Sequence, residues 1–214
     1  MSEERLEIAI ADLDVRSAYS LMTTCLIPRP IAWVSSLAAS GVDNLAPHSF
    51  TTVAGIDPLT VCFVSIGTKD TLRNVRETGE FVLNIGTERQ ARVMNDCATD
   101  FDGQVSEFDA AGLEREPSLS VRPPRVAGAP ISMECRAAGE HVIAGSVMVF
   151  GQVLRIGIAR ACLAADGRPD PRLVAPLARL GRNQWATLGE VFALDRIKAA
   201  DWDGGERSPE PGLA

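Results

Sequence analysis

Six or more short apolar segments run through this chain, each bounded by glycine, proline, asparagine or aspartate, against only two stretches with a good helical pattern. Apolar residues at period two between turn residues build strands, and strands that follow one another without intervening helices pair antiparallel. The regular strand–helix alternation of a doubly wound parallel sheet is missing. The pattern predicts a closed antiparallel barrel decorated by helices.

The densest stretch is Pro28–Thr71. Ile31–Leu37 and Leu45–Val53 read as strands joined by a turn at Ser40–Asn44, and Asp57-Pro58 closes the second of them. Thr60–Ile66 is a third strand, with Val61, Phe63 and Ser65 on one face and Cys62, Val64 and Ile66 on the other. Two largely apolar faces predict a central, covered position. Gly67-Thr68 then opens a helix over Lys69–Thr78, with Leu72 and Val75 as its apolar stripe and Gly79 as its stop. Phe81–Ile85 is a strand, and Thr87-x-x-Gln90 is a capping box opening a second helix to about Cys97.

Elsewhere the pattern is looser. Ala18–Thr24 reads as a helical turn broken by Pro28 and Pro30. Ala98–Gly128 reads as a long loop of the kind that serves as a lid, an arm or a partner-contacting segment. Ile131–Arg136 and Ser146–Ile158 are strands, and the second is long enough to need a bend, for which Gly151 is the candidate. Ala165–Arg168 is a hairpin-type turn, and Pro176–Trp185 is irregular. One domain is expected over residues 1–202, with a disordered tail from Asp203.

Composition removes several function classes. A formal net charge of -7 argues against a nucleic-acid partner, which calls for a basic face. The five cysteines form no C-x-x-C pair and the two histidines, His48 and His141, stand far apart, so neither a disulfide framework nor a metal site is expected. The start is acidic where a signal peptide is basic and then apolar, and no apolar run approaches a membrane span. A cytoplasmic protein with no membrane contact is the expectation.

Two places hold polar groups that could carry chemistry. Ser65–Thr71 ends a strand and opens a helix, where free backbone N–H groups and the positive helix end suit a phosphate, with the hydroxyls of Ser65, Thr68 and Thr71 and the charge of Lys69 nearby. A plain N-cap by Thr68 or Asp70 explains the same residues. Asn44–Phe50 puts Asn44, His48 and Ser49 on an otherwise apolar strand; a ligand's polar edge and ordinary turn closure both fit. Trp33 fits a core residue or a cofactor platform. No nucleophile motif, Walker loop or Rossmann glycine set is present. That poverty suits a redox protein that takes its reactivity from a bound cofactor.

With those residues set out, a family likeness is visible. Pro28–Ser35, Asn44–Phe50, Lys69-Asp70-Thr71 with Asn74, Phe81–Asn84, Glu107-Phe108, Gly151-Gln152-Val153 and Leu177–Gly181 resemble, in order and over about residues 15–190, the flavin reductase-like family of FMN-binding split barrels. The resemblance implies a β-rich fold with peripheral helices, a six-stranded antiparallel Greek-key split barrel, forming a homodimer with FMN near the subunit interface. By position, Asn44, Ala46, Ser49, Ser65, Lys69, Asp70 and Thr71 match the segments that hold the flavin. Arg29, Pro30, Ile31 and Trp33 match the strand against it, and Arg179 and Trp185 match a late segment approaching it. Trp185 stands where tyrosine is usual, and His48 stands where relatives vary. The implied activity is hydride transfer from NADH or NADPH to flavin N5, with reduced flavin passed to an acceptor or a partner monooxygenase. A non-catalytic electron carrier and a flavoprotein acting directly on an organic substrate remain alternatives.

Overall fold

The computed structural model describes residues 4–202 of the chain, so the tail expected from Asp203 lies outside the described residues. Near its start, Asp14 accepts hydrogen bonds from the backbone N–H groups of Arg16 and Ser17 at 2.9 and 3.0 Å. This cap opens helix α1 (Val15–Cys25), longer at both ends than the turn expected at Ala18–Thr24. Strand β1 (Arg29–Pro30) follows, and then β2 (Ala32–Leu37), β3 (Asp43–His48), β4 (Thr51–Ile56) and β5 (Leu59–Ile66). Helix α2 (Asp70–Thr78) ends at Gly79, whose φ of 72° supplies the left-handed stop. Strand β6 (Glu80–Ile85) comes next, then the Thr87–Gln90 capping box and helix α3 (Ala91–Asp96).

The expected long loop carries short elements of its own: α4 (Glu107–Ala110), β7 (Arg115–Glu116) and β8 (Arg125–Val126). These are held by partners distant in sequence, such as Asp43 for Arg115 and the Ser35 hydroxyl for the Pro124 carbonyl, which no local pattern reveals. The long hairpin of β9 (Ile131–Ile143) and β10 (Ser146–Ile158) turns at Ala144-Gly145, both with positive φ. The sequence expectation ended β9 at Arg136. An extra residue at Ala138, where the register against β10 shifts, breaks the period-two pattern that would have extended it. Gly151, where a bend in β10 is expected, stands at this register shift. The register shifts between Phe150 and Gly151, and a Cβ there would run into the Phe81 ring. After α5 (Pro171–Val174), β11 (Ala178–Arg179) and β12 (Trp185–Ala186) join β1 in a three-stranded sheet, giving order to the segment expected to be irregular.

The main sheet is antiparallel throughout, in the order β3-β2-β6-β9-β10-β5-β4. It has seven strands where six were expected, because the single strand anticipated at Leu45–Val53 is two. His48 pairs with Ala32 on one edge of the sheet and Thr51 pairs with Phe63 on the other. No straight strand can serve both edges, so the chain breaks at Ser49-Phe50 and crosses over. The sheet curls to let it do so: the Val64 N–H donates to the Phe50 carbonyl at 2.9 Å. This is the split-barrel architecture that the strand count and the family likeness predict.

Two apolar clusters hold the sheet from its two faces. Inside, Val34, Phe63, Leu72, Phe81 and Val149 pack together, with Phe63 and Phe81 edge-on at 5.2 Å between centroids. Outside, Trp33, Leu45, Met94, Phe108 and Leu177 pack beneath α3 and α4. Alternation along β2 sends Val34 to the first cluster and Trp33 to the second. Each large side chain so buried contributes about 1.5–3 kcal/mol. Among the described residues, no helix is long and apolar enough to cross a membrane.

Candidate functional site

The crossover at Ser49-Phe50 and the start of α2 together leave a cavity of about 430 Å³. Strand β3 supplies one wall, β5 the other, and α2 points its N-terminus at the opening. Gly67, with a φ of 71°, turns the chain from β5 toward the helix. Lys69 takes the N-cap position with extended backbone, yet no side chain among the described residues caps the helix. The first-turn amides of a nine-residue helix are thus left without a side-chain acceptor beside a cavity, with the positive end of the helix dipole behind them.

A hydrogen-bonded chain lines the floor. The Asn44 amide donates to Thr71 Oγ1 at 2.9 Å, and Thr71 lies 3.4 Å from His48 Nε2. His48 Nδ1 is 3.1 Å from the Val64 carbonyl, which can only accept, so Nδ1 carries the proton and Nε2 faces the threonine hydroxyl as an acceptor. Burial lowers the His48 pKa to about 4. The Val64 hydrogen bond opposes this shift and the Lys69 charge adds to it. At neutral pH His48 is therefore an uncharged member of the network. Ser65 donates to the Gly67 carbonyl at 2.8 Å and keeps its lone pairs.

The carboxylates around the cavity are arranged unequally. Lys69 pairs with Asp100 at 2.8 Å, with both side chains mostly exposed, and Asp70 pairs with Arg73 one turn along α2. Glu107 accepts the Leu45 N–H at 2.8 Å from beneath the cavity. Burial raises the Glu107 pKa; the Leu45 hydrogen bond works against this, and the charges of Asp70 and Asp43 work with it. Burial and the Glu107 charge push the Cys97 thiol up to about 12, which leaves it inert as a nucleophile. The cavity thus offers hydrogen-bond donors, a helix end and one lysine, with no activated nucleophile among its described residues.

The match to known proteins decides the family. The model for "flavin reductase like domain" matches residues 22–169, well over half of the chain. The chain belongs to the flavin reductase-like family. Nitrilotriacetate monooxygenase component B from Bacillus cereus is 30% identical with a TM-score of 0.84, over 90% of this chain and 100% of that one. The 2-nitrobenzoate 2-nitroreductase of Pseudomonas fluorescens is 31% identical with a TM-score of 0.85, over 93% of this chain and 100% of its own. An uncharacterized protein of Halalkalibacterium halodurans is 33% identical over 196 residues, 86% of this chain and 93% of that protein.

The residues carried over from the flavin reductase-like family separate into three groups in space. Asn44, Ala46, Ser49, Ser65, Lys69, Asp70 and Thr71 all line the 430 Å³ cavity. Arg29 and Arg179 instead line a neighbouring cavity of about 230 Å³, which shares Tyr19 and Ser49 with the first. Pro30, Ile31, Trp33 and Trp185 line neither. Ile31 and Trp33 are buried in the outer apolar cluster, and Trp185 packs against that cluster beneath the Arg179 guanidinium at 4.9 Å. Tyr19, Cys97, Thr99 and Phe101 line the main cavity without having been singled out. The last two come from the segment expected to form a lid or arm. Tyr19 projects from a helix whose pattern gives no reason to bring it there.

Proposed function

We propose that this protein binds FMN in the larger cavity and acts as an NAD(P)H:flavin reductase. The observation that carries the reading is the uncapped N-terminus of α2 opening onto that cavity. A phosphate there would meet free amides, the helix dipole and the Lys69 charge. The lone pairs of the Ser65 and Thr71 hydroxyls, and the Asn44 amide oxygen, which has no donor among the described residues, could accept from the N–H and O–H groups of a flavin ring and its ribityl chain. Ala46, Phe50 and Val64 give the apolar wall a flavin ring needs. Bound flavin would supply the two-electron chemistry. The chain's own residues bind it, orient it and keep the site free of competing nucleophiles, and direct hydride transfer asks for no acid or base beyond that.

Likeness to a monooxygenase component B supports passing reduced flavin to a partner oxygenase. Edge strand β4 exposes Val53 and Ile56, at 65% and 90%, which supports pairing of two copies of the chain. Likeness to a nitroreductase favours a second reading, in which the flavoprotein reduces an organic substrate directly.

The test is a fluorescence titration of the purified protein with FMN, followed by anaerobic addition of NADH or NADPH. Quenching on binding and bleaching of the flavin band on addition of nucleotide are the expected results. FMN that binds and stays oxidised with both nucleotides removes the reductase reading. Thr71→Val is expected to weaken FMN binding about tenfold, the equivalent of one hydrogen bond near 1.4 kcal/mol.

A further inference from the structure

The smaller cavity holds an imbalance of charge. Arg29 is 7% exposed, yet its guanidinium meets no carboxylate among the described residues. It donates to the backbone carbonyls of Thr23, of Leu26 at 3.0 Å and of Leu180 at 2.8 Å, and its Nε has no acceptor among the described residues. A buried charge is ordinarily paired with an opposite one, because neutral carbonyls replace only part of its hydration. Around it stand Arg16, Arg179 and Arg182, none of which has an acidic partner among the described residues. Burial lowers the Arg179 pKa and the Arg29 charge lowers it further, so the two cations repel one another. In a chain of net charge -7, four arginines around one cavity with no acidic partner among the described residues form a site short of an anion.

The site is also fixed in place. Gly181 lies against α1, where a Cβ would come within 2.9 Å of the Thr24 Cα. That close approach pins the turn carrying Arg179 and Arg182 to the helix carrying Arg16. At about 230 Å³ the cavity falls below the ~300 Å³ lower bound of ordinary ligand pockets, so it suits one group of a larger ligand. Tyr19 and Ser49 border both cavities, so such a ligand can extend toward the flavin site.

We infer that the Arg16–Arg29–Arg179–Arg182 cavity binds a phosphate group of the electron-donating dinucleotide. Guanidinium forks match phosphate oxygens two at a time, and a multiply charged group answers several arginines at once. The inference rests on the reductase reading for the identity of the ligand, and on the arginine geometry alone for its charge. Pyrophosphate is common to both nicotinamide dinucleotides, and a 2′-phosphate belongs to NADPH only.

The test is a double variant of the two exposed arginines, Arg16→Gln with Arg182→Asn; asparagine accepts the positive φ of 55° at position 182. Calorimetric titration with inorganic pyrophosphate reads the site without flavin, and steady-state kinetics with NADH and NADPH read it in turnover. We expect pyrophosphate affinity to fall about tenfold and the dinucleotide KM to rise about tenfold, with kcat and FMN affinity each within twofold, as for the loss of an anion contact worth about 1.4 kcal/mol. A KM rise confined to NADPH assigns the 2′-phosphate, and an equal rise for both assigns the pyrophosphate. Pyrophosphate binding that is absent, or equal in variant and parent, overturns the inference. So does an equal weakening of FMN, which would give these arginines to the flavin's own phosphate. If neither nucleotide reduces the flavin, the reductase reading falls, and the pyrophosphate titration still decides the charge of the site.

Discussion

Two buried polar networks lie on different parts of the barrel, and they differ in how much of their hydrogen-bonding capacity is used. The first joins Asn84, Ser132, Arg125 and Glu134 behind β6 and β9. Asn84 donates to the Trp33 carbonyl and accepts from the Val126 N–H and the Ser132 hydroxyl at 3.0, 3.1 and 2.7 Å. Glu134 is 0% exposed and accepts from the Leu119 and Ser120 N–H groups and from Arg125. Each of these groups has its protein partner. The second network, Asn44–Thr71–His48 with the start of α2, keeps an amide oxygen and a helix end without one. A saturated network specifies a fold, whereas an unsaturated one beside a cavity leaves capacity that a ligand could use, which is the proposal for this site.

The strongest way to break that comparison is to remove a partner from each network. Arg125→Ala leaves the Glu134 carboxylate buried without its cation, and is expected to lower stability by about 3–5 kcal/mol. Arg125→Met with Glu134→Leu removes both charges and is expected to be milder than the single change. Asn44→Ala, at an unsaturated position, is expected to lower stability by less than about 1 kcal/mol while weakening FMN binding about tenfold. Urea denaturation and flavin titration of the three variants measure both quantities. Equal stability losses for Arg125→Ala and Asn44→Ala would remove the distinction.

The same contrast explains what the sequence made legible. Local signals were strong where one or two residues decide a conformation: Gly79 stopping α2 and the Thr87–Gln90 box. The strand at Leu45–Val53 came out whole because a period-two pattern carries no information about which sheet edge a residue pairs with. The cavity-lining segments were legible because Asn44–Phe50 and Ser65–Thr71 each hold their polar groups within a few residues. Arg29 and Arg179, 150 positions apart in the chain, meet through the pairing of β1 with β11, and the sequence shows nothing of their shared lack of a counterion among the described residues. Trp33 was open between core and cofactor platform, and the alternation of β2 sends it into the outer cluster.

Acid titration separates the two networks by pH window. Burial works to raise the Glu134 pKa, but its hydrogen bonds from Leu119, Arg125 and Ser120 prevail and hold it below the ordinary glutamate value. Its stabilisation is present above the unfolded value of 4.5 and is lost as pH falls through the lower folded value. His48 is depressed from 6.5 to about 4, so as pH falls between those values the unfolded chain takes up a proton that the folded chain refuses. Stability is expected to decline from pH 6.5 downward because of His48, and to decline again below about pH 4.5 because of Glu134. Glu107, with a raised pKa, acts in the opposite sense: its contribution is full at low pH and is lost as pH rises through its folded value. His48→Gln is expected to flatten the upper window alone, read as denaturation midpoints across the pH range. An unchanged slope between pH 6.5 and 4 would show that the histidine is not held neutral by the fold.

The smallest expected effect tests whether the cavity's charge serves the fold or the ligand. Lys69 and Asp100 are 60% and 87% exposed, and an exposed pair contributes about 0–1 kcal/mol at most. Lys69→Met is therefore expected to shift the denaturation midpoint by an amount close to experimental error. FMN affinity should fall a few-fold at low ionic strength and by less as salt shortens the Debye length toward ~3 Å near 1 M. A ligand phosphate beside the Lys69 ammonium predicts that salt-dependent difference, and an N-terminus serving only as a helix start predicts none. If Lys69→Met instead destabilised the protein and left FMN binding alone at every salt concentration, the start of α2 would belong with the Glu134 network as a piece of the fold.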